Sequence, residues 1–374
     1  MSWLLIVVLA FYSFLILLLF FGDLKLRKFE IAALKAEKRF SVCIPFRDEA
    51  ENLGVLLRSL AQLDYPKTHF EIILVNDGST DHSAGIIENF VKKSSKTLPN
   101  LNVIDNIRVS GSPKKDALDR AIKSAKHDWI VTTDADCKVP PDWLRLFNTY
   151  ILRTKKSFVA APVAYYTDRS SFLNVFQQLD FLSLQGATMG GFGLNKPFMC
   201  NGANIAFAKA DFLRLNGYDG NKTIASGDDV FLMQKFLKAD TTSAGYIKSR
   251  KAIVLTRSQQ SWKQLLNQRK RWAAKAGSYK NSFSQGVSWV VLLGNLTFIL
   301  AVFYSVKSPV LIFFLISKIA VDFVLIAQAA LFFKKKKNLW GYVLSMLFYP
   351  FFVVYVAVLS QLGGYHWKGR EFRK

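Results

Sequence analysis

Trp129-Ile130-Val131-Thr132-Thr133-Asp134-Ala135-Asp136 is the stretch that decides how this chain folds. A short apolar, β-branched run ends in two carboxylates one residue apart, the pattern of a buried strand delivering acid to its carboxyl end. Working outward, Ser41-Val42-Cys43-Ile44-Pro45 reads as a strand stopped by proline. Glu71 to Asn76 reads as another, running into the turn Asp77-Gly78-Ser79. Between them, Glu49 to Leu63 carries Leu53, Leu56, Leu57 and Leu60 at helical spacing. Thr80 or Asp81 can cap a following helix, Asn102 to Asp105 is a weaker strand, and Pro113 to Ala125 reads as a helix. Strands alternating with helices predict an α/β domain with a mainly parallel sheet, which binds ligands beyond its strands' carboxyl ends. Asp77 and Asp134 both lie at such ends, so the pattern alone places them in one cleft.

Beyond Asp142 the alternation loosens. Phe158 to Val163 reads as a strand and Ser171 to Gln185 as a helix. Gly190, Gly191 and Gly193 read as a flexible loop, Gly202 to Phe207 as a strand and Asp228 to Leu237 as a helix. Cys43, Cys137 and Cys200 are far apart without metal-ligand spacing, which predicts reduced, partly buried thiols.

The 374 residues carry a formal net charge of +23 and 51% hydrophobic content, and the apolar residues gather at the two ends. Trp3 to Phe21 is long enough to cross a bilayer. Basic residues follow rather than precede it, with no small-residue cleavage site, which favours an anchor over a cleaved signal. Val287 to Val306, Pro309 to Phe333 and Leu339 to Leu362 are three further apolar runs. Lys318 and Asp322 sit four residues apart in the second, as an intrahelical pair or as lining of a lipid or glycan path. The excess of Lys and Arg after Phe21, and the run Lys334 to Lys337, place those segments in the cytoplasm. Four full spans would put the basic tail, Lys368 to Lys374, outside; either the last run is re-entrant or interfacial, or the interior charges outvote the tail.

Thr241 to Val321 contains no Asp or Glu, and Lys248 to Lys280 is dense in Lys and Arg. Trp262, Leu265, Leu266, Trp272 and Ala276 fall on one helix face, so this is a basic amphipathic helix of the headgroup layer. Nucleic-acid binding is the other reading of such charge, and membrane spans on both sides argue against it.

Each acidic motif carries two readings. Asp134-Ala135-Asp136 can share one hard divalent cation, Mg²⁺ or Mn²⁺, with substrate phosphates, or be a solvated turn. Asp77 can accept from a nucleobase amide, or tie down its own turn at Gly78-Ser79. In Gly227-Asp228-Asp229 one carboxylate can serve as general base for an acceptor hydroxyl, or the acid can cap a helix; both hold if Asp228 caps and Asp229 faces the cleft. Lys114 and Lys115 open a helix where one can reach a phosphate and at least one faces solvent. Arg269, Lys270, Arg271 and Trp272 can supply a cation and a wall to a departing diphosphate, or belong to the interfacial helix alone.

Taken in order, these elements resemble the membrane-bound inverting glycosyltransferases of family 2, the group of cellulose, chitin and hyaluronan synthases and ceramide glucosyltransferases. The resemblance covers about Phe40 to Tyr279 and the flanking spans. Ser41 to Glu49 looks like the opening nucleotide strand, Val75 to Ser79 the nucleobase turn, and Lys114-Lys115-Asp116-Ala117-Leu118 the lysine helix. Gly202-Ala203-Asn204 and Asn216-Gly217-Tyr218-Asp219 look like the acceptor side, and Gln268-Arg269-Lys270-Arg271-Trp272 matches Gln-x-x-Arg-Trp. The resemblance implies a GT-A fold, a nucleotide-sugar donor, usually UDP-linked, a divalent metal and inversion at the anomeric carbon. It assigns donor contacts to Pro45, Arg47, Glu49, Asp77, Lys114, Asp134, Gln268, Arg271 and Trp272. It assigns metal ligation to Asp136 with Asp134, and base catalysis to Asp229 with Asp228 beside it. Where the family often has Glu-Asp, this chain has the shorter Asp228-Asp229, which bears on acceptor handling.

The expected organisation is an anchor over 1–24, a cytoplasmic GT-A domain over 40–240, a basic interfacial region over 241–284, about three transmembrane helices over 285–364 and a tail over 365–374. The expected activity is transfer of a sugar to a lipid, lipid-linked or glycan hydroxyl at the inner or plasma membrane. The alternatives are a processive polysaccharide synthase, a noncatalytic membrane scaffold and a nucleotidyltransferase. Four spans make a narrow bundle, which favours single transfer to a lipid or lipid-linked acceptor.

Overall fold

The computed structural model describes residues 2–372 apart from 33, 95–97, 99, 167–170, 222, 223, 225, 276–280 and 369. Ala276, Tyr279, Lys280 and Lys374 therefore lie outside the described residues.

The chain opens with α1 (Ser2–Lys25), then β1 (Phe40–Phe46), α2 (Ala50–Ala61), β2 (Phe70–Asn76), α3 (Ser83–Ser94), β3 (Leu101–Asp105), α4 (Pro113–Ser124) and β4 (Trp129–Thr132). It continues through β5 (Cys137–Lys138), α5 (Trp143–Thr154), β6 (Phe158–Ala160), β7 (Val163–Tyr166) and α6 (Phe172–Gly193). Next come β8 (Ile205–Ala208), α7 (Lys209–Arg214), α8 (Asp228–Ala239), β9 (Ala244–Tyr246), β10 (Val254–Arg257) and α9 (Trp262–Ala274). The last elements are α10 (Ser282–Tyr304), α11 (Pro309–Phe332), α12 (Tyr342–Gln361) and the strands β11 (Tyr365–Trp367) and β12 (Arg370–Phe372).

The chain divides into two compact units. One comprises residues Lys28–Tyr166 and Cys200–Arg257, the other Met1–Arg27, Thr167–Met199 and Ser258–Lys374. This differs from the single stretch 40–240 expected for the soluble domain, because α6 packs with the apolar helices.

In the first unit a seven-stranded sheet has the order β3-β2-β1-β4-β8-β6-β9. β3, β2, β1 and β4 are parallel, and β8 runs antiparallel to both β4 and β6. The expected parallel character thus holds on one side of β4, while β8 makes the sheet mixed. The strand expected over 158–163 is two short strands: β6 joins the large sheet, and β7 pairs with β10, which also pairs with β5, in a three-stranded sheet. Phe40, Val42, Ile44, Leu74, Val131, Phe158 and Phe207 are fully withdrawn from water. At about 1.5–3 kcal/mol per buried apolar side chain, this core holds the strand ends in register. Cys43, Cys137 and Cys200 are buried and outside any disulfide, and burial pushes the Cys43 and Cys137 thiols up from their ordinary value.

The second unit holds four helical segments long and apolar enough to cross a membrane: Ser2–Lys25, Ser282–Tyr304, Pro309–Phe332 and Lys336–Gln361. They match the four apolar runs of the sequence. Gly190, Gly191 and Gly193 are not a loop, as their composition suggested; they form the last turn of α6. A Cβ at Gly190 would fall 2.2 Å from Leu19 O, and one at Gly22 would fall 2.3 Å from Gly190 O. Glycine here lets the backbones of α1 and α6 touch, the small-residue crossing of membrane helices. The pair Lys318–Asp322 also reaches beyond its own helix. Lys318 Nζ contacts Asp322 Oδ2 at 2.8 Å and Asn295 Oδ1 at 3.1 Å, and Tyr12 donates its hydroxyl to Asp322 Oδ1 at 2.7 Å.

Candidate active site

The parallel register brings the carboxyl ends of β1 and β2 level, with Phe46 opposite Asn76, and β4 points the same way and ends three residues earlier, with Thr132 opposite Cys43. Asp77 follows β2 and extends its ladder, with its N–H donating to Phe46 O at 2.9 Å. Gly78 takes a positive φ of 68°, and it is Asn76 Oδ1, not Asp77, that accepts from Ser79 N at 2.9 Å. The turn-stabilising alternative for Asp77 therefore falls to Asn76. The Asp77 carboxylate is buried and accepts at Oδ1 from Asn106 Nδ2 and Arg108 Nε, each at 2.8 Å. Arg47 and Arg108 also donate to Asp77 O, each at 2.8 Å. Arg108 and Asn106 were not singled out by motif. They follow β3, the next parallel strand, so the same strand-end rule would have found them.

Asn106 Nδ2 also donates to Pro113 O at 3.1 Å, which ties the Asp77 turn to the start of α4. Asp116 secures the intervening loop by accepting from Val109 N, Ser110 N and Ser110 Oγ. Neither lysine of α4 faces open solvent, as one of them was expected to. Lys115 is buried and donates to Asn221 O and Ile224 O, each at 2.7 Å, pinning the loop that leads to α8. Lys114 is aimed into the cleft, with Nζ 2.7 Å from Asp134 Oδ1 and 3.2 Å from Asp228 Oδ2. Burial alone would lower the Lys114 ammonium, but the carboxylates of Asp134 and Asp228 outweigh it and hold the group well above its ordinary range.

Asp134 and Asp136 occupy the turn between β4 and β5, and β5 is fixed by pairing with β10. Burial, then the neighbouring carboxylates of Asp134 and Glu49, push the Asp136 carboxyl up to about 6. Burial and like charge act in the same direction here, as they do where carboxylates share a cleft. Among the described residues no group of three or more His, Cys, Asp or Glu side chains is arranged around a metal position. Two carboxylates are nevertheless the donor set that Mg²⁺ or Mn²⁺ takes when substrate phosphates and water complete the shell. The residues present fit such an ion.

The expected helix cap is also revised. The N-cap of α8 is Gly227, at φ 80°, and makes no side-chain cap bond. Asp228 is turned instead toward Lys114. Asp229 Oδ2 accepts from Gly202 N at 3.0 Å and Oδ1 from Val230 N at 2.7 Å. Gly202 is in turn held by Thr132 Oγ1, which donates to Gly202 O at 2.6 Å. A Cβ at residue 202 would lie 3.1 Å from Asp228 Oδ2, so glycine keeps room for both carboxylates. Their place at a helix N-terminus favours negative charge.

The first unit thus brings Asp134, Asp228 and Asp229 together through Lys114 and Gly202, with Asp136 beside Asp134 and Asp77 joined through Asn106. Pro45 lies in β1, opposite Val75. Arg47 follows β1, and Glu49 accepts from Asn52 Nδ2 at 2.6 Å at the entry to α2. Gln268, Arg271 and Trp272 belong to α9 of the second unit. There Arg269, read from the sequence as one of the cations that can meet the diphosphate, is the buried member of the signature: its Nε lies 2.6 Å from Asp180 Oδ2 and its guanidinium 4.2 Å from the Trp272 ring centre.

Comparison with known proteins bears on this arrangement. Residues 41–212 match the model of Glycosyl transferase family 2, and residues 129–365, more than half of the chain, match that of Glycosyl transferase family group 2. The chain is 25% identical over 251 residues to the probable glycosyltransferase YdaM of Bacillus subtilis, covering 64% of this chain and 56% of that one. It is 34% identical over 103 residues to the undecaprenyl-phosphate 4-deoxy-4-formamido-L-arabinose transferase of Shewanella sediminis, covering 27% and 30% of the two chains. It therefore spans well under two thirds of the length of these curated relatives. The mannosyltransferase PcManGT of Pyrobaculum calidifontis, solved with GDP-Man and Mn²⁺, superposes with a TM-score of 0.61 at 15% identity, over 96% of this chain and 97% of that one. That likeness establishes the GT-A fold. With acid gathered at the strand ends of that fold and the family match spanning most of the chain, the protein belongs to the family 2 glycosyltransferases.

Proposed function

We propose that this membrane glycosyltransferase moves a sugar from a UDP-linked donor to the hydroxyl of a lipid or lipid-linked acceptor, with inversion, on the cytoplasmic side of the inner or plasma membrane. The observation that carries the reading is the meeting of Asp134, Asp228 and Asp229 around Lys114 and Gly202. Support for a lipid-linked acceptor comes from the four apolar helical segments and from the undecaprenyl-phosphate relative. The Lys and Arg excess after Phe21 and the run Lys334 to Lys337, which four spans place on the same side, support the sidedness.

Each residue has a part in this reading. Asp77, with Arg47 and Arg108 closing its turn, receives the nucleobase. Lys114 lies where it can meet the donor's phosphates once substrate displaces it from the carboxylates. Asp134 and Asp136 would hold Mg²⁺ or Mn²⁺, which would supply Lewis acidity against the charge on the departing diphosphate. Asp229 takes the acceptor hydroxyl's proton as that oxygen bonds to the anomeric carbon. The bond from that carbon to the phosphate oxygen breaks in the same displacement, and the nucleoside diphosphate leaves. Gly202 N holds Asp229 in place, and Gln268, Arg271 and Trp272, the members of the Gln-x-x-Arg-Trp signature, engage the donor.

Purified protein incubated with Mn²⁺, a panel of nucleotide sugars and a membrane lipid extract tests the proposal. A glycosylated lipid seen by mass spectrometry, with release of nucleoside diphosphate that Asp229→Asn abolishes, is the expected result. Pyrophosphate release would mean nucleotidyl transfer, a long glycan would mean a processive synthase, and no metal-dependent turnover of any donor would mean a scaffold.

A further inference from the structure

α6 presents Asn174, Gln177 and Asp180 one turn apart on one face, and all three are buried. Each meets the segment that carries the Gln-x-x-Arg-Trp signature. Asn174 Oδ1 accepts from Ser258 Oγ at 3.1 Å and from Gln177 Nε2 at 2.9 Å. Gln177 grips residue 259 with both ends of its amide: Gln259 N donates to Gln177 Oε1 at 2.8 Å, and Gln177 Nε2 donates to Gln259 O at 3.0 Å. Asp180 Oδ2 binds Arg269 Nε at 2.6 Å, with each side chain only 6% exposed. The guanidinium lies over Trp272, whose ring centre is 6.2 Å from that of Phe181. Along α6, the row 174, 177, 180, 181 therefore holds 258, 259, 269 and 272 in order.

A buried carboxylate–guanidinium pair is a weak source of net stability, because apolar side chains of similar volume often serve as well. Its particular contribution is geometry. The Nε contact fixes the plane of the guanidinium, and the stacked guanidinium fixes the indole. Long side chains bridging from α6 thus decide where the signature's side chains point.

We propose that Asn174, Gln177 and Asp180 form a clamp that positions Gln268 to Trp272, and that Asp180 acts on sugar transfer through Arg269 and Trp272 as a positioning residue. The inference rests on the reading that Gln268, Arg271 and Trp272 engage the donor.

The test uses the full chain in phosphatidylethanolamine–phosphatidylglycerol nanodiscs. It measures hydrogen exchange of residues 262–274 and Mn²⁺-dependent release of nucleoside diphosphate from UDP-N-acetylglucosamine and GDP-mannose. Asp180→Asn is expected to speed exchange across α9 about tenfold while β1 and β2 keep their protection. Asp180→Glu should have a smaller effect. Gln177→Ala, which uncovers no charge, should act in the same direction and stands in if Asp180→Asn does not fold. Turnover should fall with the loosening of α9. Exchange at the original rate in α9, or equal acceleration in β1 and β2, would overturn the clamp. Trp272→Ala separates the two readings. Turnover lost in Trp272→Ala but kept in a loosened Asp180→Asn removes only the clamp's role, whereas turnover kept in both removes the donor reading and the clamp's role with it.

Discussion

Lys114 and Lys318 are both withdrawn from water and both bound to aspartate, yet their surroundings differ in charge. Lys318 faces one carboxylate, Asp322, and the set is completed by the neutral groups of Asn295 and Tyr12. One cation meets one anion, and the polar atoms around them satisfy one another. Lys114 faces two carboxylates, Asp134 and Asp228, with Asp229 also near enough to favour its charge, and Asp136 is pushed up by burial and then by Asp134 and Glu49. A closed, neutral cluster between apolar helices holds the helices in register. A cluster in which several carboxylates gather about one lysine has the character of a site that takes up a cation or a proton, and in the proposed reading a metal–diphosphate donor and an acceptor hydroxyl would provide these.

Four experiments break or sharpen this contrast. The largest effect is expected from Asp229→Asn, which should cut sugar transfer by ~10²–10⁴-fold, the range for losing a general base, with little change in thermal stability. Activity retained in this variant would strip the acidic cluster of its chemistry. In the neutral cluster the effects should be reversed. Asp322→Ala leaves Lys318 buried without its carboxylate and should lower stability by ~3–5 kcal/mol in detergent unfolding, with the turnover of the folded fraction unchanged. The joint replacement of Lys318 by Met and Asp322 by Leu should be neutral or stabilising. Asp136→Asn comes next, weakening Mn²⁺ binding in the presence of UDP by more than the ~10–100-fold typical of outer-shell partners. Calorimetry or electron paramagnetic resonance measures it, and unaltered affinity would place the ion elsewhere. The smallest effect belongs to Arg108→Ala. Its guanidinium is partly exposed, so loss of the Asp77 contact should raise the donor KM about fivefold, the equivalent of ~1 kcal/mol, with kcat nearly unchanged.

Much of the fold was legible because the signals are local. The β-branched runs at 40–46, 70–76 and 129–132, the leucine spacing of α2 and the four apolar segments each announce themselves within a window of one element. The candidate site was legible for the same reason, since a parallel sheet places the residues after its strands on one edge whatever the sequence between them. Where the reading went astray, the deciding contact came from far along the chain. Gly190 and Gly193 look like loop residues until α1 is laid against them. Lys115 looks solvated until the carbonyls of Asn221 and Ile224 come to it, and Asp228 looks like a cap until Lys114 reaches it.

Taken alone, the sequence determined the element types, the strand-end carboxylates, the apolar helices and the family, because periodicity and motif order need no partner to be recognised. Only the tertiary structure decided that β8 runs against its neighbours, that 158–166 divides between two sheets, and that α6 joins the apolar helices. It alone joined Asp180 to Arg269, 89 residues apart, and Asp77 to Arg108. The physical reason is that a buried polar group must find its complement, and that complement is chosen by packing across the whole chain rather than by the residues beside it.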